Sequence, residues 1–361
     1  MPTKEELKAA VFSLNDMSAA GPDGFNGFHM EKKGPSINHL SFADDVIIFT
    51  STSNFSLKMI MKTMQLYEHT SGQLINKEKS QCMIPLNTDP AIIEKVTSIT
   101  GFKSTHGPIT YLGCPLYIGG QRIIYFTSMV SKVISRIRGW QTKILSYGGR
   151  VILIKSVLQS LPIHLLSAIT PTVTTLKQIT RLMADFFWGW DKEKRKYHWA
   201  SWKTLSYPVE EGGIGMKNIQ DVCLALQYKQ WWTFRSKKTL WGEFLKANYC
   251  QRAHPVINKW NTCQSLMWKH MVANKMNIEP HINWHINSGT CSFWWDDWMG
   301  IGPLANHNSY LPRLNNTTVS EYLENGELNM QKIRKDAPPQ LVQQILSTDI
   351  IYKHNIPDQA C

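Results

Sequence analysis

Acidic side chains are scarce in the middle of this chain of 361 residues, because residues 101–200 contain three acidic groups against fourteen basic ones. That stretch carries a formal charge of +11, whereas residues 1–100, 201–300 and 301–361 carry −2, +4 and −1. A local excess of positive charge indicates a polyanionic partner, with nucleic acid favoured over an anionic membrane surface. An ordinary solvated face of basic helices is the competing interpretation.

Long uncharged apolar runs and low-complexity tracts are also missing from the chain. Its most apolar stretch, residues 151–169, is interrupted by Lys155, Pro162 and His164, which argues against a membrane span. The first fifteen residues lack the basic start, apolar core and cleavage site of a secretory signal. We therefore expect an intracellular protein, nuclear or cytoplasmic, that is not secreted. Seven scattered cysteines fit reduced thiols in such a protein.

Tryptophan is absent from the first 139 residues, and thirteen of the fourteen indoles lie between Trp188 and Trp298. So many indoles are hard to keep solvated, and we expect most of them in a core. Stacking on nucleic-acid bases is the alternative role for individual ones. Apolar residues make up 43% of the chain, which is enough for real cores and argues against disorder.

Apolar spacing predicts an α+β fold in which helices predominate. Two apolar runs that flank Asp44 and Asp45 are typical of a β-hairpin with a carboxylate-bearing turn. The next helix is expected to end near Gly72, and Gly148 and Gly149 are expected to interrupt a later helical stretch. Strands are predicted at residues 73–76, 81–85 and 109–117, and further helices at residues 3–14, 126–145, 150–161, 173–188 and 218–234.

Asp44 and Asp45 are the sharpest chemical signal in the sequence. Adjacent carboxylates at the tip of an apolar hairpin could bind Mg²⁺ through their oxygen atoms. An ordinary turn is the competing interpretation, because Asp is a common turn residue. A two-metal site for phosphoryl or nucleotidyl transfer needs carboxylates from at least two segments of the chain.

A zinc site in the second half of the chain is a weaker candidate. Some spacings permit ligation, but no CxxC pair occurs, and buried thiols with hydrogen-bonded histidines are the favoured interpretation. The residues considered are Cys250, His254, Cys263, His270, His281, His285 and Cys291.

A series of motifs resembles one family of mobile elements. The motifs are HLSFADD at 39–45, SGQLINKEKSQC at 71–82, YLGCPL at 111–116, GWQTKILSYGGRVILIKSVLQSLPIHLLSA at 139–168, FFWG at 186–189, HWASW at 198–202 and EGGIGMKN at 211–218. Their order is similar to that in plant-type LINE polyproteins, which belong to non-LTR retrotransposons. The segment PTKEELKAAVFSLNDMSAAGPDGFNG at 2–27 resembles the start of that family's reverse transcriptase domain.

The resemblance implies a polymerase with fingers, a palm that carries metal-binding carboxylates, and a helical thumb that grips the template–primer duplex. It implies a fingers-like remnant at 1–30, a partial palm at 31–125, a basic thumb-like region at 126–205 and a Trp-rich region at 206–361. The family activity is RNA-directed DNA polymerisation with Mg²⁺.

Individual residues take roles from this resemblance. Asp44 matches the family's metal-binding and catalytic Asp, and Asp45 matches its neighbour. Phe42 and Ala43 match apolar residues that pack the catalytic hairpin, and the segment Tyr111–Leu116 resembles the hairpin that positions the primer end. The basic helices would bind RNA and RNA–DNA hybrid or duplex DNA, without membrane contact. Their candidate nucleic-acid-binding residues are Lys132, Arg136, Arg138, Lys143, Arg150 and Lys155.

The sequence departs from the family between Gly27 and Lys32, where a long segment with the first palm Asp is missing. With a single carboxylate segment, Mg²⁺ binding and catalysis are expected to fail. The truncated palm hairpin is also expected to lack partner strands and to expose an edge. The chain is therefore interpreted as an internally deleted, inactive reverse transcriptase. The alternatives are a non-catalytic nucleic-acid-binding protein and an expressed pseudogene product without a stable fold.

Overall fold

A computed structural model describes most of the chain after residue 33. The described residues are 34–35, 37–141, 145–191, 194–195, 197–307, 317–324, 326–348, 350, 352–353 and 356–361. The predicted helix at 3–14, the fingers-like segment at 1–30 and Lys143 lie outside them. The chain divides into two compact units, Met1–Cys223 and Leu224–Cys361.

The described residues are mainly helical with small sheets, which confirms the predicted α+β class. In the first unit the strands are β1 (His39–Phe42), β2 (Asp45–Ile48), β3 (Gln81–Met83), β4 (Lys103–Thr105), β5 (Ile109–Tyr111), β6 (Cys114–Leu116), β7 (Trp190–Asp191) and β8 (Lys194–Arg195). Its helices are α1 (Asn54–Ser71), α2 (Pro90–Thr100), α3 (Thr127–Gln141), α4 (Tyr147–Leu153), α5 (Ile163–Ala168), α6 (Val173–Trp188) and α7 (Trp202–Leu205). Helix α8 (Ile219–Ser236) begins in this unit.

The second unit contains the remaining elements. Its helices are α9 (Leu240–Tyr249), α10 (Leu266–Ile278), α11 (Met330–Asp336) and α12 (Pro339–Leu346), and its strands are β9 (Trp284–His285), β10 (Leu323–Glu324), β11 (Glu327–Leu328) and β12 (Gln359–Ala360). Within the described residues every sheet of the chain has two strands. No described helix is long and apolar enough to cross a membrane.

The predicted hairpin around the Asp pair is present. Strands β1 and β2 pair antiparallel with Phe42 opposite Asp45, so Ala43 and Asp44 form a two-residue turn. Ala43 has a positive φ of 52°, a backbone conformation that tight hairpin turns use. Phe42 is 62% exposed, and no third strand joins this sheet in the described part of the chain.

One sequence prediction before residue 126 is wrong, and two elements there were not predicted. Residues 73–76 form no strand, because the chain leaves α1 through Gly72, whose φ is 71°, and continues as an irregular segment. Helix α2 and strand β4 were not predicted, although Asp89 caps α2 through its side chain and Pro90 occupies its first turn. Strand β4 pairs parallel with β3, a contact that apolar spacing alone does not indicate.

Helices α3, α4 and α6 surround the core of the first unit. The fully buried side chains there include Val133 of α3, Ile179 and Met183 of α6, and Ile154, which begins the π-helical turn after α4. Helix α4 passes through the two glycines that were expected to interrupt it, because the Ser146 side chain accepts a hydrogen bond from the Gly149 amide and caps the helix start. The helix continues into a π-helical turn at Ile154–Leu158.

Aromatic side chains build the core of the second unit, as expected for most of the indoles. Trp231, Phe234 and Trp268 are fully buried in one cluster, and Phe293 stacks on Tyr322 at 3.8 Å between ring centroids in another. The seven cysteines are all free.

Candidate nucleic-acid interface

Helix α3 presents the predicted basic side chains to solvent. Lys132, Arg136 and Arg138 are exposed, while Val133 and Ile137 are buried in the core of the first unit. Because successive helical residues are rotated by about 100°, Lys132 and Arg136 lie in one row along α3 and Arg138 lies on the other flank of the exposed surface. We call Lys132, Arg136 and Arg138 the α3 cations.

Arg150, also predicted to bind nucleic acid, is partly engaged inside the fold. Its side chain is half-buried, and its Nη1 donates a hydrogen bond of 3.1 Å to the carbonyl oxygen of Phe187 near the end of α6. Its guanidinium also lies 5.5 Å from the ring centroid of Tyr147. The carbonyls in the last turn of a helix lack intrahelical partners and attract cations, so this contact ties α4 to α6.

Lys155 lies in the π-helical turn and is exposed. Its ammonium nitrogen lies beside the backbone of Gly215, 3.4 Å from where a Cβ atom would stand at that glycine. Nearby, the Gln159 side chain donates a hydrogen bond of 3.0 Å to the carbonyl oxygen of Lys217. These contacts hold the 207–218 segment against the π-helical turn.

An open groove lies beside α6, and its cations were not among the predicted site residues. Lys177 and Arg181, one turn apart on α6, line it together with Lys203 of α7. The groove has a volume of about 750 Å³. The sequence could have predicted a solvent-facing pair of cations here, because Lys177 and Arg181 are four residues apart and lie off the apolar stripe of α6.

The groove also contains one carboxylate. Asp185 is buried, and its Oδ1 lies 3.3 Å from Nε2 of His198, whose ring stacks on Trp188 with centroids 6.1 Å apart. The carboxylate therefore has a partner in the wall of the groove, whereas Lys177, Arg181 and Lys203 are exposed. Among the described residues that line the groove, the exposed charged side chains are therefore basic.

The donor set at the predicted magnesium site does not fit a two-metal centre. Asp44 and Asp45 are both exposed and come from one hairpin. In the part of the chain that the structure describes, no group of three or more His, Cys, Asp or Glu side chains is arranged to hold a metal ion. Phe42 and Ala43, which the resemblance implies to be packed, are exposed instead, because the two-stranded ribbon has no sheet to pack against among the described residues.

The residues considered for zinc are engaged with other groups or lie apart. Cys250 Sγ accepts a hydrogen bond of 3.6 Å from the Asn258 side chain, and His254 Nε2 lies 3.6 Å from Asp296 Oδ1. Cys263 is exposed. Burial lowers the pKa of His254 to about 3, an effect to which Arg235 adds while Asp296 opposes it. His254 is therefore a neutral, buried side chain at neutral pH.

Comparison with known proteins gives two relatives, and no family model matches the chain. Over 186 residues the chain is 31% identical to a protein of Arabidopsis thaliana that is named a ribonuclease H protein. Over 185 residues it is 25% identical to the uncharacterized 149 kDa protein of transposon TX1 from Xenopus laevis. Each match covers 50% of this chain, but only 30% of the first relative and 13% of the second. The chain is thus similar to part of a protein named for ribonuclease H and to part of a transposon protein.

Proposed function

We propose that this chain is a remnant of a LINE-type reverse transcriptase that keeps a nucleic-acid-binding surface and lacks polymerase activity. The exposed α3 cations carry the proposal, because their helix is fixed in the core by Val133 and Ile137 and presents the charges from a rigid support. Cations on a rigid helix bind phosphates and release condensed counterions, which gives affinity without base specificity.

The partner is a nucleic acid, with an RNA–DNA hybrid or duplex DNA as the preferred form. The name of the Arabidopsis relative contains ribonuclease H and the name of the Xenopus relative contains transposon, and both point to proteins that act with nucleic acids. The region 126–205 would then correspond to the thumb, and 31–125 to the residual palm. The same binding is expected of the non-catalytic protein considered as the alternative.

We expect the chain to be catalytically inactive because its candidate metal-binding carboxylates, Asp44 and Asp45, come from a single segment. A two-metal mechanism holds the attacking and leaving oxygens between two ions, which requires ligands from separate segments. Asp44 and Asp45 are neighbours on one exposed ribbon, so they cannot supply those ligands by themselves. Primer extension on an RNA template, with the purified full chain and Mg²⁺, should give no product. Product that disappears in Asp44→Ala would contradict inactivity.

Binding is tested separately by fluorescence anisotropy with a labelled RNA–DNA hybrid. The triple variant Lys132→Glu, Arg136→Glu, Arg138→Glu should abolish measurable binding. The double variant Lys58→Glu, Lys62→Glu provides the control, because both lysines are exposed one turn apart on α1. An affinity for the hybrid that is equal in wild type and in the triple variant would rule out the α3 cations as the binding surface.

A further inference from the structure

The groove beside α6 combines positive charge with exposed aromatic rings. Its walls hold Lys177, Arg181 and Lys203, and Tyr197 stands at the groove with 74% of its surface exposed. Trp199 is 78% exposed and contacts Tyr197 edge to face, with ring centroids 5.3 Å apart. Two large aromatic rings this exposed are unusual in a chain whose other indoles mostly pack into cores.

A buried polar group also lies in the groove wall. Trp202, which is 9% exposed, lines the groove, and its indole N–H has no acceptor among the residues that the structure describes. Buried N–H donors normally have partners, so this indole N–H is an unusual feature of a groove-lining residue. Asn218, just before α8, and Gln220, in its first turn, also line the groove and add amide groups capable of hydrogen bonding.

The composition of the groove selects among anionic ligands. Phosphate groups would form ion pairs with Lys177, Arg181 and Lys203. A simple anion has no flat apolar surface that would stack on Tyr197 and Trp199. A duplex offers phosphates and hides the faces of its bases by stacking, whereas a single strand offers both phosphates and free base faces. Basic grooves flanked by aromatic side chains are the arrangement by which proteins hold single strands without sequence preference.

We infer that the α6 groove binds a short segment of single-stranded nucleic acid. Lys177, Arg181 and Lys203 pair with successive phosphates, and Tyr197 and Trp199 stack on unpaired bases. The ligand class and the residues differ from those of the α3 cations, so the inference does not depend on hybrid binding.

The test uses the full chain and a fluorescein-labelled oligouridylate of about twelve nucleotides, with a blunt RNA–DNA hybrid as the second probe. Trp199→Ala should weaken oligouridylate binding about tenfold, since loss of one stacked base costs that order of affinity. Trp199→Phe should restore most of the affinity, because it keeps an aromatic face. Hybrid binding should change less than twofold in both variants.

The charge contribution is measured through salt dependence. Removing one phosphate contact lowers the slope of log affinity against log salt by about 0.7 for a single strand. The double variant Lys177→Gln, Arg181→Gln should therefore lose about 1.4 of that slope. The pair Lys58→Gln, Lys62→Gln removes the same charge at the same spacing from α1 and should leave the slope unchanged.

Several outcomes overturn the inference. It is wrong if the wild-type chain does not bind oligouridylate at low salt, or if the Trp199 and Lys177–Arg181 variants bind it as tightly as wild type while circular dichroism shows a native fold. It is also wrong if those variants weaken single-strand and hybrid binding equally. If wild type binds oligouridylate through the groove but does not bind the hybrid, the inference stands and the proposed function fails.

Discussion

Nη1 of Arg150 donates a hydrogen bond of 3.1 Å to the main-chain carbonyl of Phe187, across 37 positions of sequence. This contact joins α4 to the end of α6, and it gives a basic residue of the +11 stretch a hydrogen-bond partner inside the fold. One basic side chain of this stretch is therefore engaged within the fold, whereas the α3 cations are exposed to solvent.

Arg150→Gln should lower the free energy of unfolding by about 1.5 kcal/mol, because a charge-assisted hydrogen bond at a helix C-terminus is lost. Urea denaturation followed by circular dichroism measures this change. Hybrid affinity should fall less than in Arg136→Gln, whose side chain is exposed. Unchanged stability, together with a loss of hybrid affinity as large as that in Arg136→Gln, would place Arg150 in the binding surface instead.

Gly213→Ala should destabilise the chain by at least about 2 kcal/mol, because a Cβ atom there would lie 2.0 Å from the carbonyl oxygen of Tyr207. The obstacle is backbone, so no side-chain rotation can relieve it. The turn 207–215 follows α7, which carries Lys203, so α6-groove binding should weaken as well.

The control for this change is Gly139→Ala, at an exposed position of α3 where an added Cβ meets no atom within 4 Å. Replacing a helical glycine by alanine should stabilise α3 by about 0.5–1 kcal/mol. Equal melting temperatures for Gly213→Ala and wild type would show that the turn adopts another conformation in solution.

Acid should destabilise the second unit through His254. Its pKa is depressed to about 3 in the folded chain, chiefly by burial, while the unfolded chain binds the proton near pH 6.5. The neutral form therefore gives full stability above pH 6.5, and the free energy of unfolding should fall by about 2 kcal/mol by pH 5. Lys246, Lys275 and Arg235 surround the imidazole and oppose its charging, against Asp296.

Urea titrations at pH 7 and pH 5 measure this loss in wild type and in His254→Gln. The variant should lose less stability between the two pH values, because the glutamine does not titrate. A pH dependence identical in the two proteins would show that His254 is accessible to protons in the folded chain.

Local sequence patterns were sufficient to predict the elements whose ends are marked by a capping side chain, a glycine or a turn residue. Helix α6 has the predicted bounds because the Thr172 side chain caps its start and Gly189, with φ of 93°, ends it. The β1–β2 hairpin was predictable from its two apolar runs and from the Asp residues between them, since both signals act within a few positions of the chain. Helix α1 ends at Gly72, as expected, for the same reason.

Contacts between distant segments were not predictable. The hydrogen bond from Arg150 to Phe187 depends on how the helices pack, and so does the α6 groove. Composition therefore identified the basic stretch 101–200 but not which of its cations face solvent. The exposure of Trp199 contrasts with the core role expected of most indoles. The family resemblance implied packing for Phe42 that the described structure does not provide.

Salt dependence of RNA–DNA hybrid binding tests the central claim, that the α3 cations contact nucleic acid, most directly. Wild type is compared with the triple variant Lys132→Gln, Arg136→Gln, Arg138→Gln, using Lys58→Gln, Lys62→Gln as the control. Each lost phosphate contact on a duplex should reduce the slope of log affinity against log salt by about 0.9, so the triple variant should lose about 2.7. A slope and an affinity equal to those of wild type would contradict the claim.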